Sequence, residues 1–191
     1  MSSIRKIWHF IWEEDSFASW IVNIVIAFVL VKFIIYPGLG LALGTTHPVV
    51  AVMSSSMEHR ESFESWWQWQ GNVYIAMDIL KEQAKSWRFK NGFDKGDIMI
   101  VRGVKPDDLK IGDVIIFYGK LNEPIIHRIV QTDISDNERV FTTKGDNNNA
   151  VSDQLGERYI KKGRIVGKAV FRIPWLGWVK IIFMDFVNSF R

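Results

Sequence analysis

The sequence predicts a mainly β domain of antiparallel strands on an N-terminal transmembrane helix, with one inserted amphipathic helical segment. Two patterns indicate this fold class: a long apolar run near the N-terminus, and short β-branched runs between Gly-Asp turns beyond residue 94. A chain of 191 residues can bury one substantial core. We therefore expect one folded body rather than two full domains.

The apolar run FASWIVNIVIAFVLVKFIIY, residues 17–36, is interrupted only by Asn23 and Lys32. As a helix it would be roughly 30 Å long, which matches the hydrocarbon thickness of a bilayer. We predict a transmembrane anchor at 17–36 that Pro37 brings to an end, behind an N-terminal cytoplasmic segment at 1–16.

A cleaved signal peptide is the alternative to an anchor, because Gly40 and Ala42 have the small-residue spacing of a cleavage site. The length of the apolar run and the acidic residues at 13–15 argue against it. Arg5 and Lys6 favour a cytoplasmic N-terminus, which would place the following domain on the extracytoplasmic side.

Five apolar runs bounded by turn residues predict the strands of the β-domain, which we place at 45–172. Their lengths of four to eight residues are typical of strands and too short for helices. The runs are GDIMIV at 96–101, GDVIIFY at 112–118, PIIHRIV at 124–130, RVFTTKGD at 139–146 and IVGKAVF at 165–171.

A Trp-rich insertion at 61–93 interrupts the strand pattern and predicts an amphipathic helix, broken near Gly71. The helix could pack on the β-domain, or its surface could enter the bilayer interface or dock a partner. Its apolar stripe has steps of three and four residues and consists of Trp66, Trp69, Val73, Met77, Leu80, Ala84 and Trp87.

The tail at 173–191 is apolar but carries Lys180 and Asp185. It is too short and too charged for a second crossing, so we predict a membrane-proximal segment at the interface. Nine tryptophans and thirteen phenylalanines also indicate contact with a membrane.

Composition excludes several kinds of site. The chain has no cysteine, so disulfides, thiolate zinc sites and cysteine nucleophiles are ruled out. Its formal charge is only +3, without an arginine-rich block, which argues against a nucleic-acid partner.

A serine nucleophile and a histidine base are the chemistry that the remaining residues allow. The stretch VMSSSMEHR, residues 52–60, offers three serines, and in the run IIHRIV alternation puts His127 on an apolar strand face. Desolvation there favours the neutral imidazole that a general base needs. A histidine on such a face can equally be a core residue. The loop TKGDNNNAVSD offers Asp146 and Asp153 as acids, although it could be only a turn.

The order of these elements resembles type I signal peptidases of the archaeal and endoplasmic-reticulum branch. The apolar run, Ser-Ser-Ser-Met, the Gly-Asp strands, the strand histidine and Thr-Lys-Gly-Asp-Asn follow one another as in that family, over roughly 45–57 and 94–173. Two features depart from the family pattern: His59 stands where a proline is usual, and the insertion at 61–93 has no counterpart.

The resemblance implies a role for each candidate residue. Ser56 would be the nucleophile, His127 the general base and Asp153 the acid of the triad, with Asp146 as a supporting or alternative acid. The Ser54 hydroxyl and the Ser56 N–H would form the oxyanion hole. The side chain of Met57 would form a wall of the substrate pocket.

The resemblance also implies a function. The chain would be a membrane-bound serine endopeptidase that removes N-terminal signal peptides after small residues through an acyl-enzyme, without a cofactor or a metal. It would act at the cell membrane or the endoplasmic-reticulum membrane as a single-pass protein. Its partners would be the signal peptides of preproteins, the lipid bilayer, and subunits of the secretion machinery or of a signal peptidase complex. The alternatives are another membrane peptidase of the Ser-Lys type and a non-catalytic, membrane-anchored binding protein.

Overall fold

The computed structural model of the chain describes residues 3–189 and divides into two compact units, Met1–Ala42 and Leu43–Arg191. The first two residues of the predicted cytoplasmic segment and the last two of the predicted tail lie outside the described residues.

The first unit begins with two helices, α1 (Ser3–Trp12) and α2 (Phe17–Leu30). Ser16 caps α2 by accepting a hydrogen bond from the Ser19 N–H at 3.2 Å. The Asn23 side chain, a polar interruption of the apolar run, donates to the Ile11 carbonyl at 2.9 Å. This bond satisfies a carbonyl that the end of α1 leaves without a helical partner.

The helix does not end at Pro37, contrary to the prediction. One turn of π-helix, Val31–Ile35, follows α2, and α3 (Tyr36–Leu43) continues through the proline. The Tyr36 N–H donates to the Val31 carbonyl, five residues back, and this wider turn accommodates a proline that has no N–H to offer. Gly44, with φ of +64°, then ends α3 in the left-handed conformation that glycine adopts without strain.

The continuous helical stretch Phe17–Leu43 has 27 residues, seven more than the predicted anchor. Within the part of the chain that the structure describes, it is the one helix long and apolar enough to cross a membrane.

The second unit is built on one six-stranded antiparallel sheet, so the predicted β-domain is confirmed. Each predicted run overlaps a strand, and a short first strand precedes them. The strands are β1 (Val49–Ala51), β2 (Ile98–Arg102), β3 (Val114–Tyr118), β4 (Pro124–Ser135), β5 (Glu138–Lys144) and β6 (Ile165–Ile173), in the spatial order β1-β2-β6-β3-β4-β5.

Strand β4 is five residues longer than its predicted run because it forms a hairpin with β5. The two loop residues, Asp136 and Asn137, have φ of 52° and 60°. These values are typical of the type I′ turn that matches the twist of a hairpin.

Three helices complete the second unit: α4 (Phe63–Ile75), α5 (Lys81–Lys85) and α6 (Trp178–Asn188). Single turns of 3₁₀-helix at Pro106–Asp108 and Lys162–Arg164 connect strands.

The insertion packs on the β-domain through a face that matches the predicted stripe only in part: Trp66, Ala84 and Trp87 are buried as predicted. Its buried face includes Trp66, Trp67 and Tyr74, whereas Trp69 is 84% exposed and Leu80 is 66% exposed. The buried rings form a cluster with Val130 of β4. Since Ile129 lies in a second buried cluster, residues 127–130 of strand β4 are covered on both faces.

Gly71 does not break α4, contrary to the expectation from sequence. A Cβ at this position would lie 2.7 Å from Nε1 of Trp67, so the glycine makes room for the indole ring. The two helices of the insertion are instead separated at 76–80, where Asp78 has φ of 59°.

One side of helix α6 packs against the rest of the second unit. Ile181 is buried, and the Gly177 N–H donates to the Gly96 carbonyl at 2.8 Å. The opposite side exposes large apolar side chains, among them Val179, Ile182 and Phe183.

Candidate active site

Ser56 lies in the loop that follows β1, where it is half-buried while Ser54 and Ser55 are exposed. Asn147 holds this loop from the other side. Its backbone N–H donates to the Ser56 carbonyl at 2.8 Å, and its side-chain amide donates to the Ser55 carbonyl at 3.1 Å. The loop of the serines and the loop after β5 are therefore fixed to each other.

His127 of β4 is brought to Ser56, as the sequence led us to expect. Its Nε2 lies 2.9 Å from the Ser56 Oγ, and the imidazole is almost fully buried. The Ser54 Oγ lies 3.1 Å from the Ser56 Oγ, so the hydroxyl of Ser54 is also next to the predicted nucleophile.

The carboxylate that meets the other side of this imidazole belongs to Glu157, which the sequence analysis did not consider. The Glu157 Oε1 is hydrogen-bonded to the His127 Nδ1, and its Oε2 accepts from the Ser152 N–H at 2.6 Å. Glu157 has no exposed surface. The backbone of Thr143 in β5 donates to the Glu157 carbonyl at 2.9 Å, which fixes the residue beside the sheet.

Asp153, predicted as the acid of the triad, is not placed against His127. Its carboxylate is exposed and pairs with Arg158 at 2.8 Å. A tight turn explains the difference, because the Gly156 N–H donates to the Asp153 carbonyl and the Glu157 N–H to the Ser152 carbonyl. This turn directs Asp153 outward and brings Glu157 inward.

Asp146 does not contact His127 either, although it is fully buried. Its carboxylate accepts hydrogen bonds from the Arg128 guanidinium at 2.6 and 2.8 Å and from the Tyr74 hydroxyl at 2.8 Å. It is also hydrogen-bonded to the His59 Nε2 at 2.9 Å. Asp146 is therefore the centre of a second polar cluster, behind the serine loop.

Charge pairing keeps Asp146 and Arg128 of this second cluster ionised. Burial alone would raise the pKa of Asp146, but Arg128 and His59 hold it far below its usual value. Burial would lower the pKa of Arg128, and Asp146 raises it instead. Burial and the charge of Asp146 together raise the pKa of Tyr74 well above its ordinary value, so the phenol stays protonated.

The second cluster also supports the serine loop. The Met57 Sδ accepts from the Asp146 N–H at 3.4 Å, and the Trp66 Nε1–H donates to the Asp146 carbonyl at 2.9 Å. Met57 has no exposed surface, so the structure gives it a position in the core and not the substrate-facing position that was expected.

The end of the insertion also contacts the serine loop. The Phe93 N–H donates to the Met57 carbonyl at 3.1 Å, and Gly92 forms a β-bridge with Glu58. Gly92 has φ of +68°, and a Cβ there would lie 2.3 Å from the Met57 carbonyl oxygen. Only glycine allows the two segments to approach so closely.

Lys144, at the end of β5, is a buried cation beside this region. Its ammonium donates to the carbonyls of Gly145 and Asn148 at 2.9 and 2.7 Å and to the Gln70 side chain at 3.3 Å. Burial lowers the pKa of Lys144 to about 8. The lysine thus secures the turn that carries Asp146.

Sequence reasoning missed three groups of this region besides Glu157: His59, Tyr74 and Trp66. The replacement of a proline by His59 was a usable signal, because a histidine beside a buried aspartate can pair with it. Tyr74 and Trp66 gave no such signal, since aromatic residues in a helix are ordinarily core residues.

Chemically, the line from Ser56 through His127 to Glu157 has the arrangement of a serine nucleophile with its base and a carboxylate that orients the base. No protein-family model matches the chain. The dog and human proteins described as "Signal peptidase complex catalytic subunit SEC11C" are each 27% identical to it over 157 residues, 80% of this chain. The chain is a homologue of signal peptidase catalytic subunits.

This signal peptidase homologue is similar to a fungal relative as well. The SEC11 catalytic subunit of Metarhizium acridum is 25% identical over 158 residues, which cover 80% of this chain and 73% of the relative. The matched region spans 65% of the length of the mammalian relatives. The resemblance to the archaeal and endoplasmic-reticulum branch of type I signal peptidases is thereby confirmed.

Proposed function

We propose that the chain is a membrane-bound serine endopeptidase that removes N-terminal signal peptides from secreted preproteins. The observation that carries this proposal is the hydrogen-bonded line of Ser56, His127 and Glu157. The similarity to signal peptidase catalytic subunits supports the substrate class.

In the proposed mechanism, the neutral His127 takes the hydroxyl proton through Nε2 while the Ser56 Oγ attacks the scissile carbonyl. Glu157 accepts the hydrogen bond of Nδ1–H, which keeps the lone pair on Nε2 and stabilises the imidazolium that forms. The imidazolium then protonates the departing amine, and an acyl-enzyme remains on Ser56. Water, deprotonated by His127, hydrolyses that ester and releases the signal peptide.

The oxyanion of each tetrahedral intermediate needs donors near Ser56. The Ser56 N–H and the Ser54 hydroxyl are the proposed pair, and one such donor is worth roughly 3 kcal/mol in the transition state. The Ser54 Oγ lies 3.1 Å from the Ser56 Oγ, so its hydroxyl is close to the place where the oxyanion would form.

The signal-peptide side of a substrate would lie along β1. This strand is at the edge of the sheet and has a strand neighbour on one side only. An extended peptide can add to such an edge through backbone hydrogen bonds. Since β1 leads directly into the serine loop, a peptide bound along β1 would have its scissile bond close to Ser56. Shallow apolar subsites there would favour small residues.

We propose that helix Phe17–Leu43 anchors the chain in a cell or endoplasmic-reticulum membrane, with the second unit on the extracytoplasmic side. The basic residues Arg5 and Lys6 support this orientation. The relatives are described as subunits of a signal peptidase complex, so we propose other subunits of such a complex as partners, beside signal peptides and lipid.

The contacts of Lys144 argue against the Ser-Lys alternative. A lysine base needs a free lone pair directed at the serine hydroxyl, whereas the Lys144 ammonium donates to three oxygen atoms of its own turn and of Gln70. Its lowered pKa reflects burial and is not accompanied by a contact with Ser56.

The test is cleavage of a preprotein by the purified chain in detergent or proteoliposomes. Ser56→Ala and His127→Ala should each lower kcat by at least about 10³-fold. Ser55→Ala is the matched control, because the hydrogen bonds of Ser55 with other described residues all go to its backbone carbonyl. Loss of activity in the Ser55 variant, or full activity without Ser56, would refute the assignment.

A further inference from the structure

A pocket of about 410 Å³ lies between helix α4 and the two loops that carry Ser56 and Asn147. The insertion forms one wall through Trp66, Trp69 and Gln70, and the segment 58–61 forms another. The resemblance to signal peptidases does not account for the insertion, and this wall of the pocket gives it a possible role in binding.

The pocket adjoins the candidate nucleophile. Asn147 lines it and donates hydrogen bonds to the carbonyls of both Ser55 and Ser56. The segment 58–61 begins two residues after Ser56. A peptide that enters along β1 and passes Ser56 therefore meets the pocket on the leaving-group side.

The lining of the pocket has the chemistry to hold a polar peptide with a positive charge. Glu58 and Glu61 face it together with Arg60, which leaves one negative charge in excess. Among the described residues, none of these three is in a salt bridge. Trp69, 84% exposed, offers an open ring face to a cation.

One buried group of the lining still has an unused hydrogen-bonding atom. His59 is 5% exposed, its Nε2 is bonded to Asp146, and its Nδ1 has no partner among the described residues. The unpaired atom is enclosed by neighbouring side chains, and the His59 ring is stacked on Trp66 with the ring centroids 4.0 Å apart, so the imidazole forms part of the pocket wall and is not a contact for a ligand.

We propose that this pocket binds the first residues of the mature protein, C-terminal to the scissile bond, and favours a lysine or arginine side chain among them. The proposal rests on the proposed function and names a second determinant of its specificity. The insertion at 61–93 would thereby help to recognise the leaving segment, which is the N-terminal part of the mature protein.

The experiment uses the full chain in detergent and peptides that share one signal-peptide sequence. A short peptide ends one residue after the cut, and two long peptides continue for five residues with either lysine or glutamate at the second position. We expect the wild type to prefer the long lysine peptide in kcat/KM. We divide kcat/KM for the long lysine peptide by kcat/KM for the short peptide. Trp69→Ala should lower this ratio about tenfold. Glu61→Lys should reverse the preference between lysine and glutamate.

Leu80→Ala is the matched control, because Leu80 is an exposed apolar residue of the same insertion and does not line the pocket. The proposal is overturned if Trp69→Ala leaves the ratio unchanged, or if Leu80→Ala lowers it equally.

A binding measurement separates this proposal from the proposed function. The five-residue leaving segment with lysine, titrated calorimetrically into the Ser56→Ala variant, should bind, and Trp69→Ala added to that variant should weaken the binding about tenfold. Absence of cleavage by the wild type would contradict the proposed function. Absence of binding in the titration would contradict the pocket assignment.

Discussion

The imidazole of His127 is bonded on one side to Ser56 and on the other to Glu157. A neutral imidazole carries its proton on either nitrogen, and only one of the two tautomers leaves Nε2 free to act as a base. The carboxylate of Glu157 selects that tautomer, because it accepts a hydrogen bond from Nδ1–H.

Replacing Glu157 by glutamine tests this role. The amide can donate to Nδ1 and so favour the wrong tautomer, and we expect kcat to fall between about 10²- and 10⁴-fold with little change in KM. Steady-state cleavage of a signal-peptide substrate measures the effect. Asp153→Asn is the control, since Asp153 pairs with Arg158 on the surface. If Asp153→Asn were the inactive variant, Asp153 and not Glu157 would be the acid.

Lys144 predicts a pH dependence of stability. Burial lowers its pKa to about 8 from an ordinary value of about 10.5, so between these pH values the unfolded chain binds more protons than the folded chain. The free energy of unfolding therefore rises as pH increases from 8, by roughly 3 kcal/mol if the whole interval were covered. Urea titrations between pH 7.5 and 10 measure the slope.

The variant Lys144→Met isolates that contribution, because it removes the titrating group and keeps most of the side-chain volume. We expect a flatter dependence of the free energy of unfolding on pH than in the wild type. Measurements stop at pH 10 because the raised pKa of Tyr74 gives the opposite slope above its ordinary value. Identical slopes in the two proteins would contradict the prediction.

The residues of the site could be predicted from sequence to different degrees. Ser56 and His127 were found because each stands in a recognisable pattern, a serine motif and an alternating strand. Glu157 follows Leu-Gly in a turn that looks like any surface loop. The local turn at 152–157 brings Glu157 inward, but the bond from Thr143 that fixes it beside β5 joins segments distant in sequence and leaves no local signal.

At the scale of elements, residues 127–130 of strand β4 are buried on both faces because α4 covers the face that carries Arg128 and Val130. A guanidinium can be buried there only with all its donors satisfied. Asp146 and the carbonyls of Arg88, Phe89 and Gly112 satisfy them. The helix and the buried ion pair thus depend on each other.

Tyr74→Phe tests that dependence at the helix. The variant removes the hydroxyl donor 2.8 Å from the Asp146 carboxylate and leaves a buried oxygen with one bond fewer. We expect a loss of about 1–3 kcal/mol in the free energy of unfolding, measured by urea denaturation. Tyr159→Phe, at an exposed position, should change it by less than about 0.5 kcal/mol. Equal effects of the two variants would exclude a special role for the Tyr74 hydroxyl.

The strands were predicted closely because turn residues bound each short apolar run. The face of α4 was not, because Trp66, Trp67 and Trp69 allow more than one apolar stripe. Packing against β4 chose between them: Trp66 and Trp67 are buried and Trp69 is exposed. The continuation of the helix past Pro37 could not be predicted from local sequence either, since it depends on the π-helical turn before the proline.

At the scale of the whole molecule, two apolar surfaces belong to different units: the helix Phe17–Leu43 and the outer side of α6. Exposed apolar side chains in such number favour transfer from water to a lipid interface. The second unit should therefore bind lipid by itself.

A chain that begins at Leu43 tests this expectation. It should sediment with phosphatidylcholine vesicles, and the double variant Ile182→Glu, Phe183→Glu should weaken this binding at least about tenfold, because each apolar side chain contributes about 1.5–3 kcal/mol on burial. Leu121→Glu, at another exposed apolar position, is the control. Cleavage of a short peptide checks that each variant folds. Equal binding by all variants would show that α6 does not contact lipid.

The hydrogen bonds of the triad join residues far apart in the chain: Ser56 and His127 are separated by 71 positions, and His127 and Glu157 by 30. A nascent chain on the ribosome acquires its serine early, its imidazole much later and its carboxylate last. Until Glu157 has emerged and the turn at 152–157 has closed on β5, the imidazole lacks the partner that orients it. If the proposed mechanism holds, the chain therefore cannot cleave a peptide until this last part of the site has folded.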